Sequence, residues 1–150
     1  FRMADAPAAF GLEQLKKLPK MNALRIKNAE YLHKKLSTFS HLLTLPPLAT
    51  KTMSHTYYTF PIVIKDTRIS RGEFARFLES KKIETRAIMC GALSDQPALH
   101  KAPGREDDAL VNSRYVRDNG FSIGCHPLLS KSDLDHVVSS ITHFLAPYVS

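Results

Sequence analysis

The segment FSIGCHP at residues 121–127 indicates the fold class, because it contains a predicted strand that an amphipathic helix follows closely. The strand is predicted over residues 121–125, directly after the Asn119-Gly120 turn. The helix is predicted from apolar residues at core spacing, with Ser130 or Ser132 as its N-cap. These apolar residues are Leu134, Val137, Val138, Ile141, Phe144 and Leu145. We expect this stripe to cover the sheet to which the strand belongs.

Two further strands are predicted upstream. Residues 57–65 alternate along the chain, which places Tyr58, Phe60, Ile62 and Ile64 on one face of a strand. Pro61 favours an edge position or a bulge, because proline cannot donate a hydrogen bond to a neighbouring strand. Residues 83–88 read as the other strand.

The remaining segments read as helices. Asp5 can cap a first helix, Pro19 is expected to interrupt it, and a second helix is predicted over residues 20–39. Ser70 and Glu73 have capping-box spacing at the start of a third helix, and residues 107–117 read as a short one. Strands separated by helices predict an α/β fold, a two-layer domain with a small sheet and helices on one face.

The composition is that of one globular domain. The 150 residues are 43% hydrophobic and 23% charged, which suits a single buried core. No run approaches the roughly twenty apolar residues of a membrane span, and no secretory pattern opens the chain, so we expect a cytoplasmic protein without a membrane partner. Cys90 and Cys125 are too few for a disulfide scaffold and read as free thiols.

The charge balance is basic, with 21 Lys+Arg against 14 Asp+Glu and a net charge of +7. Such a balance is compatible with nucleic acid, but the basic residues of 16–35 are spread along helical patterns and no aromatic-interleaved motif for stacking bases occurs. We therefore expect no nucleic-acid partner and keep a basic nucleic-acid module as a remote alternative. No His/Cys/Asp cluster has metal-ligand spacing, so no metal site is predicted.

Four segments occur in a distinctive order: FRMADAPAAFGLEQL at 1–15, HTYYTFPI at 55–62, TRAIMCGALSDQP at 85–97 and FSIGCHP at 121–127. Together they resemble the C-terminal part of the DegT/DnrJ/StrS sugar aminotransferase family. This family comprises pyridoxal-phosphate (PLP) enzymes that act on nucleotide-linked keto-sugars. Outside these segments only helix pattern and length agree with the family.

The resemblance implies the small C-terminal domain of a fold type I PLP enzyme. On this reading residues 1–19 are a linking helix from a large PLP-binding domain that is absent here, and residues 20–150 are the small domain. The family's large domain carries the Schiff-base lysine, or a histidine in the 3-dehydratase branch. We therefore expect no catalytic residue in this chain, and no PLP or pyridoxamine phosphate (PMP) held by this chain alone.

Arg2 is the one candidate cofactor contact. The family asparagine that would precede it reaches the PLP phosphate of the partner subunit, which implies a homodimer interface at this end of the chain. The alternative is a disordered terminus.

Four residues are candidates for substrate binding: Arg86, Gly91, Gln96 and His126. A guanidinium at Arg86 could bind a phosphate or carboxylate bidentately, or form a surface ion pair. Gln96 could bond sugar hydroxyls or close its own loop. His126 could donate to substrate or carry a proton, or it could be a partly buried histidine bonded to backbone.

The loop sequence bears on the reaction. The family's 3-dehydratase-like branch has a glycine-containing loop where many of its aminotransferases have P-L-H-x-Q-P. Gly91, and Ser94 in place of His, favour the dehydratase-like branch, whereas Ala92 departs from the branch's polar Asn. The resemblance thus implies a nucleotide-linked keto-sugar as partner and 3-dehydration as the reaction. The alternatives are an aminotransferase of the same family, or a non-catalytic binding module that has lost the catalytic half.

Overall fold

The computed structural model describes residues 4–88, 92–99, 101 and 109–149. In these residues the helices are α1 (Asp5–Leu36), α2 (Arg71–Ser80), α3 (Val111–Asn119) and α4 (Lys131–Leu145). The strands are β1 (Leu43–Thr44), β2 (Thr59–Ile64), β3 (Thr85–Ala87) and β4 (Gly120–Gly124). Short 3-10 turns lie at Ser37–Phe39, Leu93–Asp95 and Ala146–Tyr148. The α/β class and the three predicted strands are confirmed.

The sheet is antiparallel throughout, with strand order β1-β2-β4-β3. Ile123 of β4 pairs with Phe60 of β2 on one side and with Thr85 of β3 on the other. Strand β1 was not predicted, because two residues carry no alternation. Strand β1 pairs only with Val63 and Ile64, the last two residues of β2. Strand β2 is therefore an inner strand, but Pro61 has no partner residue on β1.

One hydrophobic core lies between the sheet and the helices α1, α2 and α4. Side chains from all three helices and from β2 and β4 are almost completely buried in it. The largest are Tyr57, Phe60, Phe74, Phe121, Leu32, Leu36, Leu43, Ile62, Ile64, Leu78, Ile123 and Ile141. Burial of apolar surface contributes about 25 cal/mol per Å² to folding, and we expect this core to be the main source of the domain's stability.

Helix α1 is continuous from Asp5 to Leu36, so the prediction that Pro19 interrupts it was wrong. Proline removes one backbone N–H donor from the helix, but the helix continues on both sides of Pro19. Asp5 is also not the N-cap; that position is Ala4, without a side-chain bond. The core residues of α1 begin only at Ala29. Within the described residues, no helix, α1 included, combines the length and apolar character needed to cross a membrane.

The terminal helix α4 follows the predicted stripe closely. Ser130 is its N-cap and forms a reciprocal capping box with Asp133. Leu134, Val137, Ile141 and Leu145 are buried, whereas Val138 and Phe144 of the stripe are half-buried. Ser70 likewise caps α2 by accepting from the Glu73 N–H.

The alternation predicted at Tyr57 and Tyr58 is reversed in the structure. Tyr57 has φ 48°, in the left-handed region that side chains disfavour, and its ring is fully buried. Its hydroxyl donates to the Pro47 carbonyl at 2.8 Å, and its N–H donates to His55 Nδ1 at 2.8 Å. Tyr58 is consequently exposed to 82%. Strand β2 begins at Thr59, two residues after its predicted start at residue 57.

Helix α3 turns into β4 at Gly120, where space is very tight. A Cβ atom there would lie 2.4 Å from the Val116 carbonyl oxygen and 2.7 Å from the Ile88 side chain. Glycine is therefore required for α3 to lie against the sheet, where the Tyr115 hydroxyl donates to the Ile64 carbonyl at 2.8 Å. Helix α3 was predicted over 107–117 but spans Val111–Asn119; residues 107 and 108 lie outside the described part.

Candidate functional site

A cleft of about 370 Å³ opens at the end of β4, and we call it the outer-face cleft. Its strand residues Thr59, Ser122 and Gly124 alternate with the core residues Phe60 and Ile123, so they face away from the core. The complete lining is Arg25, Tyr58, Thr59, Glu84, Arg86, Ser122, Ile123, Gly124, Cys125 and His126. Two predicted substrate residues, Arg86 and His126, therefore meet in one cleft.

Arg86 projects from β3 and pairs with Glu84. Its Nη2 lies 2.7 Å from Glu84 Oε1, and its Nε donates to the same oxygen at 3.0 Å. The two side chains are exposed to 75% and 72%. An ion pair so open to water contributes little to stability, and either partner can exchange it for another contact at small cost. In this structure Arg86 therefore forms the surface ion pair given as the alternative. Because this pair is weak, Arg86 can still bind an anion.

His126 is held in place through its backbone. Its carbonyl accepts from Asn28 Nδ2 at 2.8 Å, and Asn28 is a buried polar residue of α1. The ring Nδ1 accepts from the Leu128 N–H at 3.2 Å, so Nε2 carries the proton of the neutral ring. A donor N–H in a solvent-open cleft can bond a substrate oxygen or pass on a proton.

Arg25 of α1 reaches across to the same loop. Its Nη1 donates to the carbonyls of Tyr58 at 3.1 Å and Cys125 at 3.3 Å. Its guanidinium carbon lies 5.9 Å from the centre of the Tyr58 ring, at cation–π distance. Arg25 thereby ties the start of β2 to the end of β4 and adds a second cation to the cleft.

Cys125 lies beneath the cleft and is chemically quiet. Its Sγ donates to the Arg25 carbonyl at 3.4 Å, and the side chain is 1% exposed. Burial raises the pKa of the thiol to about 11, although the charge of Arg25 opposes the shift. A thiol that stays protonated at neutral pH is no nucleophile. The prediction that it is a free thiol is confirmed for Cys125.

Gln96 lies elsewhere, in a loop that is held against α3. Asp95 accepts from Arg114 Nη2 at 2.7 Å and from Arg117 Nη1. These bonds, with that from Arg114 the largest influence, lower the pKa of Asp95 to about 2. Gln96 is not one of the described residues that line the outer-face cleft. Gly91 and Arg2 lie outside the described residues.

Sequence reasoning missed four residues of the cleft region: Arg25, Asn28, Tyr58 and Glu84. Arg25 was interpreted as part of a solvated basic helix face and Asn28 was not singled out, because their partners lie about a hundred positions away in the chain. Glu84 carried a usable signal, since residues i and i+2 of a strand share a face and it precedes Arg86 by two.

The sequence profile of the DegT/DnrJ/EryC1/StrS aminotransferase family matches residues 1–142, and the chain belongs to this family. It is 34% identical over 146 residues to a dTDP-4-dehydro-2,6-dideoxy-D-glucose 3-dehydratase of Saccharopolyspora spinosa, covering 97% of this chain and 31% of that protein. It is 33% identical to the lipopolysaccharide biosynthesis protein RfbH of Salmonella typhimurium, covering 95% of this chain and 33% of the relative.

Solved structures agree with this assignment. The E. coli GDP-4-keto-6-deoxy-D-mannose-3-dehydratase with bound hydrated PLP superposes with a TM-score of 0.79 at 28% identity, covering 89% of this chain and 34% of that chain. The chain spans about a third of the length of the curated relatives it matches. Both 3-dehydratases and transaminases occur among these relatives.

Proposed function

We propose that this chain is the small domain of a PLP- or PMP-dependent enzyme that acts on a nucleotide-linked 4-keto-6-deoxyhexose. Such an enzyme belongs to deoxysugar or polysaccharide biosynthesis. The observation that carries the proposal is that Arg86 and His126 line one cleft in a chain that matches this enzyme family over residues 1–142. The cleft is then a wall of the substrate site.

The proposed roles follow from the chemistry of each residue. Arg86 exchanges its exposed partner Glu84 for a phosphate oxygen, and His126 Nε2 donates to an oxygen of the sugar. Gly91 and Gln96 are proposed as further substrate contacts, although Gln96 does not line the outer-face cleft, and Arg2 is proposed to contact the cofactor of the partner subunit in a homodimer. No residue of this chain forms or breaks a covalent bond of the substrate.

A large PLP-binding domain is proposed to join the chain through residues 1–19, with residues 20–150 as the small domain. Large apolar side chains exposed on α1 and at Leu128 support this, because burial against a further domain would remove their apolar surface from water. Phe10, Leu15, Leu18 and Leu128 are all exposed, the last to 80%. We place the whole enzyme in the cytoplasm, with no membrane or nucleic acid among its partners.

The outer-face cleft of this chain offers PLP no covalent attachment. A Schiff base with PLP needs a lysine, and none is present among the described residues that line the cleft. Incubation with PLP and borohydride should therefore leave no stoichiometric adduct, as measured by mass spectrometry. A specific adduct on Lys101 or Lys131 would refute the proposal that the catalytic part lies outside this chain.

The proposed reaction is 3-dehydration rather than amino transfer. Support comes from Gly91 and Ser94 in the loop, and from the 3-dehydratases among the relatives. The test is product analysis by mass spectrometry, using the full-length protein with PMP, glutamate and an NDP-4-keto-6-deoxyhexose. A product that has lost the 3-hydroxyl supports dehydration. A stable amino sugar would assign the protein to the aminotransferases, and no turnover of any such sugar would refute the enzyme proposal.

A second candidate is a stand-alone binding module. One observation favours it: the described residues of this chain bury a hydrophobic core of their own. The reading frame upstream of Phe1 discriminates between the two. A frame that continues for roughly 200 residues, a usual length for a further domain, supports the enzyme, and a stop codon supports the module.

A further inference from the structure

Asp95 directly precedes Gln96 in the chain, and two arginines of α3 hold its carboxylate. Arg114 binds it bidentately, with Nη2 2.7 Å from Oδ1 and Nε 3.0 Å from Oδ2, and Arg117 Nη1 donates to Oδ2. The two arginines are about one turn apart on α3, so they lie on one face of the helix and converge on a single acceptor. Charge-assisted bidentate contacts of this kind fix geometry as well as contributing energy.

Partial burial distinguishes this network from the ion pair in the outer-face cleft. The side chains of Asp95, Arg114 and Arg117 are exposed to 24%, 36% and 35%. Those of Arg86 and Glu84 are exposed to 75% and 72%. Water and salt screen an exposed pair strongly and a partly buried pair less, so we expect the network at Asp95 to be the stronger of the two.

Helix α3 depends on polar contacts for its position. It has nine residues, and none of these described residues is buried. Its N-cap, Leu110, has φ 49° and makes no side-chain capping bond. A helix this short is marginal in water without tertiary contacts. The contacts that hold α3 include the Tyr115 bond to the Ile64 carbonyl, the close approach at Gly120 and the bonds to Asp95.

The loop of residues 92–99 is not fixed by its large apolar side chains either. Ala92 is buried at its start, but Leu93 and Leu99 are exposed. The Gln96 N–H donates to the Leu93 carbonyl at 3.0 Å, and the Leu99 N–H donates to the Gln96 carbonyl at 2.9 Å. These local bonds hold the shape of the loop, but they do not hold it against another element. The bonds between Asp95 and α3 do, at the residue next to Gln96.

From these contacts we propose that Asp95 is a positioning residue of the substrate site. Through Arg114 and Arg117 it fixes the loop on α3, and it thereby sets where Gln96 meets the substrate. Asp95 acts through Gln96 and does not itself contact the substrate. The inference deepens the proposed function and rests on it for the contact between Gln96 and the substrate.

The first test measures NMR order parameters of backbone amides in the 150-residue chain. Asp95→Asn should lower those of Gln96 and Leu99 from about 0.85, typical of rigid backbone, to about 0.6 or below, because the loop has lost its charge-assisted bonds to α3. Asp95→Glu keeps the charge and should preserve most of the order. Unchanged order parameters in Asp95→Asn would overturn the proposal.

The matched control is Asp118→Asn. The Asp118 carboxylate also binds Arg117, with Oδ1 2.7 Å from Nε, but Asp118 belongs to α3 itself and is more exposed than Asp95. Its loss leaves the bonds between the loop and α3 in place, so the order parameters of Gln96 and Leu99 should not change. Equal effects of Asp118→Asn and Asp95→Asn would also overturn the proposal.

The second test is a double-mutant cycle on the full-length enzyme with its nucleotide-linked keto-sugar. Gln96→Ala and Asp95→Asn should each raise KM about threefold or more and change kcat less than about twofold, since each removes binding that ground and transition state share. The double variant should have the KM of Gln96→Ala alone, because Asp95 acts through Gln96. A merely structural role would not produce this coupling. Additive effects on KM, or an unchanged KM in either single variant, would refute the positioning role.

The positioning role and the proposed function fail separately. If the full-length protein converts a nucleotide-linked sugar but Asp95→Asn leaves the order parameters of the loop unchanged, the positioning role is wrong and the enzyme assignment stands. If the order parameters fall as described but the full-length protein converts no such sugar, the hold of Asp95 on the loop stands and the proposed reaction is refuted.

Discussion

Replacing Asn28 by alanine tests how the fold holds the candidate site. Asn28 is 6% exposed, and its Nδ2 donates to the His126 carbonyl at 2.8 Å across 98 positions of sequence. The substitution removes one donor from that carbonyl, which still accepts from the Leu129 N–H at 3.2 Å, so the expected cost is the net worth of one hydrogen bond, about 0.5–1.5 kcal/mol. For a domain of this size, each kcal/mol lowers the melting temperature by about 2–4 °C, so we expect a fall of about 1–6 °C.

The assay is urea unfolding followed by circular dichroism, with NMR spectra of the loop after β4. Amide signals of Gly124, Cys125 and His126 should shift or broaden, because the loop has lost one of its hydrogen bonds to α1 and keeps only those with Arg25. Lys27→Ala is the control, since Lys27 is the exposed neighbour on the same helix and should change stability by less than about 0.5 kcal/mol. A similar small effect of Asn28→Ala, with unchanged loop signals, would refute the anchoring argument.

Three further predictions concern the core, the thiol and the loop before α3. Ile141→Ala removes a fully buried side chain and should cost about 2–5 kcal/mol in a urea melt, whereas Ser139→Ala on the exposed face should be nearly neutral; equal effects would mean that the register of α4 is wrong. The pKa of Cys125 is raised to about 11, so a thiol reagent at pH 8 should label it only as fast as the domain unfolds, and rapid labelling of the folded chain would contradict its burial. The pKa of Asp95 is lowered from 3.8 to about 2, so its contribution to stability is complete above about pH 4 and is lost as the pH falls toward 2; in acid melts Asp95→Asn should flatten this loss, and an unchanged pH profile would count against the ion pairs.

The sequence predicted those parts of the fold that depend on local periodicity. The stripe of α4, the cap at Ser130 and the strand before His126 all follow from side-chain spacing within one element. Pro19 was misjudged because a rule for single residues was applied to a long helix that continues cooperatively on both sides of the proline. Tyr57 was misjudged because no sequence pattern reports a positive φ at a tyrosine.

The candidate site was predictable only in part for a related reason. Arg86 and His126 stand in motifs that directly follow or form strands, so the topology brings them together. Arg25 and Asn28 act through bonds to backbone carbonyls of distant residues, and a carbonyl has no signature in the sequence. Polar residues on a helix are equally compatible with a solvated face until the fold shows what they contact.

The outer-face cleft is proposed to be a wall of a nucleotide-sugar site. The most direct measurement is the KM of the full-length enzyme for its NDP-keto-sugar after Arg86→Ala. Arg68→Ala is the matched control, because Arg68 also pairs with a carboxylate two residues earlier in the chain, that of Asp66. We expect Arg86→Ala to raise KM on the order of tenfold or more, with little change in cofactor affinity, and Arg68→Ala to leave KM unchanged. An unchanged KM for Arg86→Ala would contradict the claim and return Arg86 to a surface ion pair.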